Sequence, residues 1–249
     1  MYARPARRIA LIVGLLLSSA AAAEHSSALI AVASNFLPTA TKLQQAFAPT
    51  HDGELRISAA ATGVHAAQIR SGAPYAAWLA ADQQRPAQLE QDALIPTGRR
   101  FTYAIGRLAL LKAPGNSSAL TVDGLRTAAA SKIAIANPRH APYGLAALQV
   151  LQRWLPEAQL SARLVRGQSV AQAYQFAESG AADWALTAWP LAMHSPNRAW
   201  LIPAHLHAPI RQDAVMLSNN PTAQAFLEFL AGPAGRALIR ADGYELPGR

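Results

Sequence analysis

The sequence predicts an α/β protein of two lobes. Each lobe is expected to be a mixed, mainly parallel β-sheet flanked by helices, and two crossover segments join the lobes. Three observations lead to this prediction. Short apolar segments alternate with helical patterns along the 249 residues, as is typical of parallel sheets covered on both faces. Two apolar segments are longer than an ordinary strand, and an N-terminal export signal leaves a chain long enough for two lobes.

The first 23 residues have the pattern of a secretory signal peptide. Arg4, Arg7 and Arg8 precede an apolar run over residues 9–17, and small residues follow up to Glu24. The run is shorter than the roughly 20 residues that a membrane-spanning helix needs, which argues against a retained anchor. No cysteine follows it, so a lipid-modified N-terminus is excluded. We expect cleavage near Glu24 and a mature protein in the periplasm.

Composition removes several classes of function. The chain has no cysteine, which excludes disulfides, thiolate catalysis and zinc sites built on sulfur. Its 22 basic and 14 acidic side chains give a formal charge of +8, but the basic residues form no run of five. Aromatic residues are not interleaved with them, so a nucleic-acid groove is poorly supported. A general attraction for anions is the inference that remains.

Strands are predicted where short apolar segments are bounded by turn residues. They fall at residues 29–33, 54–59, 77–81, 132–136, 162–165 and 184–187. Helical patterns follow almost every strand, at residues 38–48, 64–71, 86–91, 144–154 and 170–178.

Long apolar segments at residues 101–112 and 209–217 interrupt this order. Because they exceed the length of a typical strand, we expect them to cross between the lobes and return. The first lobe then holds residues 24–105 and 211–249, and the second holds residues 106–210.

Four predicted strand-to-helix turns carry small or hydrogen-bonding residues. The turns contain Ser34 with Asn35, Thr62, Tyr143, and Ser169 with Val170. In open α/β sheets, ligands bind at the carboxyl ends of the strands, where helix N-termini offer unpaired N–H groups and about half a positive charge. A Ser, Thr or Asn before a helix is usually a plain N-cap. Two such turns from each lobe nevertheless favour a shared anion-binding cleft.

Several segments resemble the periplasmic molybdate-binding proteins of ABC transporters. The matching segments are residues 30–37, 61–69, 71–74, 81–82, 135–144, 168–170 and 243–247. They extend over nearly the whole mature chain. The resemblance implies a type II periplasmic binding protein that captures molybdate or tungstate, needs no cofactor, is a monomer and delivers the oxyanion to the membrane permease of an ABC importer.

The resemblance also implies which residues bind the oxyanion. They match family positions that contribute hydroxyls and backbone N–H groups without a neutralising charge, and they are Ser34, Asn35, Thr62, Tyr143 and Val170. The chain departs from the family pattern at three places, one of them the unusual flanking pair Trp184 and Trp189. Thr62 stands where the family usually has serine, and residues 75–80 lack its usual Asp and Ser. These departures leave sulfate or another oxyanion as the alternative ligand.

Two other kinds of site compete with this interpretation. His205 and His207 could face one side of a strand and bind a metal, but no third ligand lies at a supporting spacing. A solvated surface pair is therefore preferred, and no metal ion is expected. Ser34 or Thr62 could be the nucleophile of a secreted α/β hydrolase, although His65 would lie on the helix after Thr62 rather than opposite its hydroxyl. The sequence favours a binding protein that is not an enzyme.

Overall fold

The structure is a computed structural model that describes residues 27–128 and 130–248. The predicted signal peptide and its cleavage site near Glu24 lie outside these residues. In the described part of the chain, no helix is both long enough and apolar enough to cross a membrane.

Ten strands and ten α-helices alternate along the described residues. The strands are β1 (Ala28–Ala33), β2 (Leu55–Ala60), β3 (Ala77–Leu79), β4 (Arg100–Gly106), β5 (Leu108–Lys112), β6 (Ile133–Ala136), β7 (Leu164–Gly167), β8 (Trp184–Ala188), β9 (Ala199–Leu201) and β10 (Ile210–Met216). The helices are α1 (Leu37–Phe47), α2 (Thr62–Arg70), α3 (Gln84–Gln91), α4 (Val122–Thr127), α5 (Pro142–Trp154), α6 (Glu157–Arg163), α7 (Val170–Glu178), α8 (Trp189–Ala192), α9 (Pro221–Ala231) and α10 (Pro233–Ala241). Short 3-10 helices cover Ala48–Thr50 and Ala204–Leu206.

The strands form two mixed sheets of five strands each. The first sheet has the order β2-β1-β3-β10-β4, and the second has the order β7-β6-β8-β5-β9. In each sheet three neighbouring strands are parallel, and two further strands join through antiparallel pairs. The predicted architecture of two mixed sheets flanked by helices is confirmed.

The chain passes from one sheet to the other at Arg107. Strand β4 ends at Gly106 in the first sheet, and β5 begins at Leu108 in the second. The apolar segment 101–112 is therefore two strands, one in each sheet. The segment 209–217 is not divided between the sheets. It contains the single strand β10, which pairs with β3 and β4 of the first sheet only.

Three local assignments differ from the sequence prediction. Residues 162–163, predicted to begin a strand, complete helix α6, and β7 starts at Leu164. Strand β9 was not predicted because its three residues are too few to establish an alternating pattern. Helices α2 and α5 begin at Thr62 and Pro142, earlier than predicted. Thr62 and Tyr143 therefore lie in first helical turns.

The hydrophobic core of the second sheet extends into the first lobe. Its cluster contains three buried residues that follow or end first-lobe strands, Ala33, Ala61 and Ala81. Each is an alanine, and such small side chains allow the two lobes to approach closely. The packing thus brings the carboxyl ends of strands from both sheets to one place.

His65 is a buried histidine without a hydrogen-bond partner. It lies on α2, is fully buried, and neither ring nitrogen has a partner among the described residues. Its ring meets Tyr75 edge-on, with centroids 5.5 Å apart. Burial lowers the pKa of His65 from 6.5 to about 4, because the imidazolium would have to be desolvated. The ring is therefore neutral near pH 7.

We predict that His65 makes the fold acid-sensitive. The unfolded chain takes up the proton below about pH 6.5, whereas the folded protein resists it until about pH 4. Stability is therefore full above pH 6.5 and falls as the pH drops through this window. Between pH 7.5 and 4.5 the loss from this residue should be about 2 kcal/mol.

Urea unfolding at both pH values, compared between the wild type and His65→Leu, measures this contribution. The variant should lose less stability on acidification, since it has no imidazole to protonate. Equal losses in the two proteins would contradict the prediction.

Candidate functional site

All five sequence-predicted site residues line one small cavity between the sheets. The empty space in and immediately around the cavity amounts to about 180 Å³. Its lining consists of Ala33, Ser34, Asn35, Ala61, Thr62, Ala81, Ala141, Pro142, Tyr143 and Val170. Nine of these ten residues are buried. The space is small and lined almost entirely by buried residues, so it suits only a small ligand.

Strand topology explains why these residues meet. Ser34 and Asn35 follow β1, and Thr62 opens α2 just after β2. Tyr143 lies in the first turn of α5 beyond β6, and Val170 opens α7 beyond β7. Strands β1 and β2 are parallel, as are β6 and β7, so their carboxyl ends meet at one edge of each sheet. Ligands of open α/β sheets bind at this edge.

Four backbone N–H groups in this lining have no acceptor among the described residues. They belong to Asn35, Thr62, Tyr143 and Val170. The last three occupy first helical turns, where no preceding turn supplies a carbonyl. Neighbouring N–H groups are satisfied, as when Ser34 N donates to Ala60 O at 2.9 Å and Gly144 N donates to Ala141 O at 2.9 Å. Two unpaired groups come from each lobe.

Two hydroxyls in the lining are oriented by bonds that they accept. The Thr62 hydroxyl accepts from Ala81 N at 3.0 Å, and the Tyr143 hydroxyl accepts from Gln212 Nε2 at 3.4 Å. Each hydroxyl therefore keeps its own hydrogen for a further acceptor. The Ser34 hydroxyl has no recorded partner among the described residues, and this residue is 8% exposed.

The side-chain nitrogen of Asn35 is committed to the protein rather than to the cavity. It donates to Gln212 Oε1 at 2.9 Å and to the Tyr244 hydroxyl at 3.2 Å. The backbone carbonyl oxygen of Asn35 accepts from the Tyr244 hydroxyl at 2.8 Å. The backbone N–H of Asn35 remains for a ligand. Sequence patterns gave no indication of Gln212 or Tyr244, because both partners are remote from Asn35 in the chain.

No charged side chain lines the cavity. The nearest carboxylate in sequence is Asp82, which forms an ion pair with Arg85. Burial raises the pKa of Asp82, and Arg85 opposes this effect. Burial also raises the pKa of Tyr143 far above neutrality, so its hydroxyl stays protonated. The lining therefore offers neutral donors, an arrangement that suits an anion whose charge is met by N–H and O–H groups.

Direct contacts hold the lobes together beside the cavity. Gly63 N donates to His140 O at 2.8 Å, and Arg85 Nη2 donates to Arg139 O at 2.8 Å. A wider cleft shares Ala81 and Pro142 with the cavity and is lined on its outer side by Arg85 and Arg211 among others. This cleft therefore adjoins the cavity.

The two competing interpretations were a metal site at His205 and His207 and a hydrolase nucleophile at Ser34 or Thr62. His205 lies in a 3-10 helix and is exposed, whereas His207 is buried with Nδ1 2.8 Å from Ala208 O. The expected solvated pair is therefore wrong for His207, because the segment turns instead of continuing as a strand. Among the described residues no group of three or more His, Cys, Asp or Glu could hold a metal ion. His65 bonds to neither the Ser34 nor the Thr62 hydroxyl, so the structure does not support it as the base of a hydrolase.

Comparison with known proteins gives a consistent result. Residues 28–245 match the sequence profile of the bacterial extracellular solute-binding proteins. The molybdate-binding protein ModA of Azotobacter vinelandii is 39% identical over 251 aligned positions, which cover 96% of each chain. ModA of Rhodobacter capsulatus is 33% identical over 248 positions, covering 96% of this chain and 94% of that protein.

A solved structure matches as well. The periplasmic molybdate-binding protein of Azotobacter vinelandii superposes with a TM-score of 0.80 and 36% sequence identity. The superposition covers 89% of this chain and 100% of the other.

We predict that Gly63→Ala hinders closure of the lobes. An alanine Cβ at this position would lie 2.9 Å from His140 Cα and 3.0 Å from its carbonyl oxygen, both of them backbone atoms. Relieving this overlap should cost about 1–3 kcal/mol and separate the lobes.

Small-angle scattering measures the result as a larger radius of gyration than that of the wild type. Gly248→Ala is the matched control, since a Cβ there meets nothing within 4 Å. An unchanged radius in Gly63→Ala would contradict the prediction.

Proposed function

This chain belongs to the family of bacterial extracellular solute-binding proteins, and we propose that it captures molybdate or tungstate in the cavity between its lobes. In this proposal it is exported with residues 1–23 as a cleaved signal peptide and works in the periplasm as a monomer. It delivers the oxyanion to the membrane permease of an ABC importer. Its role is binding rather than catalysis.

The four unpaired backbone N–H groups are the observation that carries this proposal. They belong to Asn35, Thr62, Tyr143 and Val170, which all line one cavity. Buried N–H groups in folded proteins nearly always have a partner, so a ligand with several acceptor oxygens is the natural complement. A tetrahedral oxyanion has four such oxygens and fits a small space.

The uncharged lining favours an anion that carries no proton. The Thr62 and Tyr143 hydroxyls already accept one bond each from the protein and so face the ligand as donors. No carboxylate lines the cavity, so the strongest side-chain acceptor for a ligand O–H is missing from it. Hydrogen phosphate would bring an O–H into this set of donors, whereas molybdate, tungstate and sulfate are fully deprotonated near neutral pH.

The relatives support the choice among these oxyanions. Two proteins named as molybdate-binding are similar over nearly their whole length, and one of the same name has a similar structure. Size supplies the physical basis for selection. Backbone donors fixed by helices cannot contract around sulfate, whose S–O bonds are shorter than Mo–O bonds, and hydrogen bonds longer than about 3.2 Å are weak.

Competition calorimetry at neutral pH is the test of this proposal. We expect molybdate and tungstate to bind with similar affinity. Hydrogen phosphate should bind about 5- to 150-fold more weakly, the equivalent of one buried unsatisfied group at 1–3 kcal/mol. Sulfate should bind more weakly than molybdate because of its size. Sulfate or phosphate binding as tightly as molybdate would overturn the ligand assignment.

Thr62→Val should weaken molybdate binding by about 10- to 150-fold, since it removes a hydroxyl donor to a charged oxygen, worth 1.5–3 kcal/mol. Thr62→Ser is the matched control. It keeps both the donor and the acceptor of the Ala81 N–H, and it should bind molybdate nearly as well as the wild type. Calorimetry with molybdate measures the affinity of both variants. If Thr62→Val bound molybdate as tightly as Thr62→Ser, the Thr62 hydroxyl would be excluded as a ligand.

A further inference from the structure

Gln212 forms the centre of a buried polar cluster where the two lobes meet. It lies on β10, is fully buried, and sits at an irregularity in the pairing of β10 with β4. Its Oε1 accepts from Asn35 Nδ2 at 2.9 Å and from the Tyr103 hydroxyl at 3.1 Å. Its Nε2 donates to the Tyr143 hydroxyl at 3.4 Å. One amide thus bonds to a cavity residue from each lobe.

The chain makes room for this arrangement at Gly106, where β4 ends. A Cβ at this position would lie 2.2 Å from the Tyr143 hydroxyl oxygen and 2.8 Å from Gln212 Nε2. Only glycine therefore allows the Tyr143 hydroxyl and the Gln212 amide to lie against the crossover. The close approach ties α5 of the second lobe to strands of the first.

The groups around the Gln212 amide are neutral. Tyr103 and Tyr143 contact it directly, and Tyr244 contacts it through Asn35. Burial raises the pKa of all three tyrosines, so each keeps its proton. The adjacent Asp213 turns away from the cluster, pairing with Arg100 at 2.9 Å and accepting from Thr102. The amide is thus held by fixed hydrogen bonds and not by charge.

We propose that Gln212 is a positioning residue that sets the spacing between the anion donors of the two lobes. Asn35 and Tyr143 each contribute an unpaired N–H to the cavity, one from each lobe. Gln212 bonds to both side chains, so it fixes how far the lobes can close. This inference rests on the proposed oxyanion function and adds that the amide determines discrimination by size. Without it, the donors could shift inward around a smaller anion.

The amide suits this role better than its acidic counterpart. A glutamate at position 212 could accept from Asn35 and Tyr103, but its ionised carboxylate could not donate to the Tyr143 hydroxyl. It would also place a negative charge close to a bound dianion. Protonation of that carboxyl would restore a donor, so binding by such a variant should require uptake of a proton.

Calorimetry with molybdate and sulfate on the wild type and on Gln212→Met tests the proposal. The wild type is measured first, and a failure to bind molybdate would count against the proposed function itself. In Gln212→Met the ratio of sulfate Kd to molybdate Kd should fall by roughly tenfold or more. If Gln212 has only a structural role, the binding of both anions weakens by the same factor. The ratio of the two Kd values then stays unchanged, which overturns the proposal.

Gln212→Glu provides a second test, which can be carried out even if Gln212→Met does not fold. Between about pH 7 and 9 its molybdate affinity should fall with rising pH, by up to about tenfold per pH unit. The wild type should show no such dependence, because no group in its lining titrates there. Parallel pH profiles of the two proteins would contradict the proposal.

Discussion

A buried backbone N–H without an acceptor costs about 1–3 kcal/mol, and this fold places four of them around one cavity. No element of the described chain turns a carbonyl toward them. The arrangement is therefore complete only with an external acceptor. A single oxyanion that accepts from both lobes removes the penalty at all four groups, which makes ligand capture and lobe closure one thermodynamic event.

Strand direction and the packing between the lobes bring these four residues together. Parallel strands β1 and β2 in one sheet, and β6 and β7 in the other, direct their following turns toward the same space. Buried alanines at the strand ends let the lobes approach. The cross-lobe bond from Gly63 to His140 lies one residue from Thr62, so the contact between the lobes is continuous in the chain with a residue proposed to bind the anion.

Much of this was accessible from the sequence, because its signals are local. Small and hydroxyl residues between an apolar strand and a helical pattern identified Ser34, Thr62 and Tyr143, and the structure brings them together. The roles of their atoms were not accessible. The Asn35 amide is occupied by Gln212 and Tyr244, and partners so distant in the chain leave no pattern near the turn. Gln212 itself is the middle one of three consecutive polar residues in β10, and nothing in that pattern distinguishes it from its neighbours.

We propose that neutral donors from both lobes, without a cationic side chain, hold the anion. A crystal structure of the molybdate complex tests it most directly. The account predicts molybdate oxygens within about 2.7–3.2 Å of the backbone nitrogens of Asn35, Thr62, Tyr143 and Val170, with no arginine or lysine in contact. Molybdate bound in the wider cleft against Arg85 or Arg211, or held by the donors of one lobe alone, would contradict it.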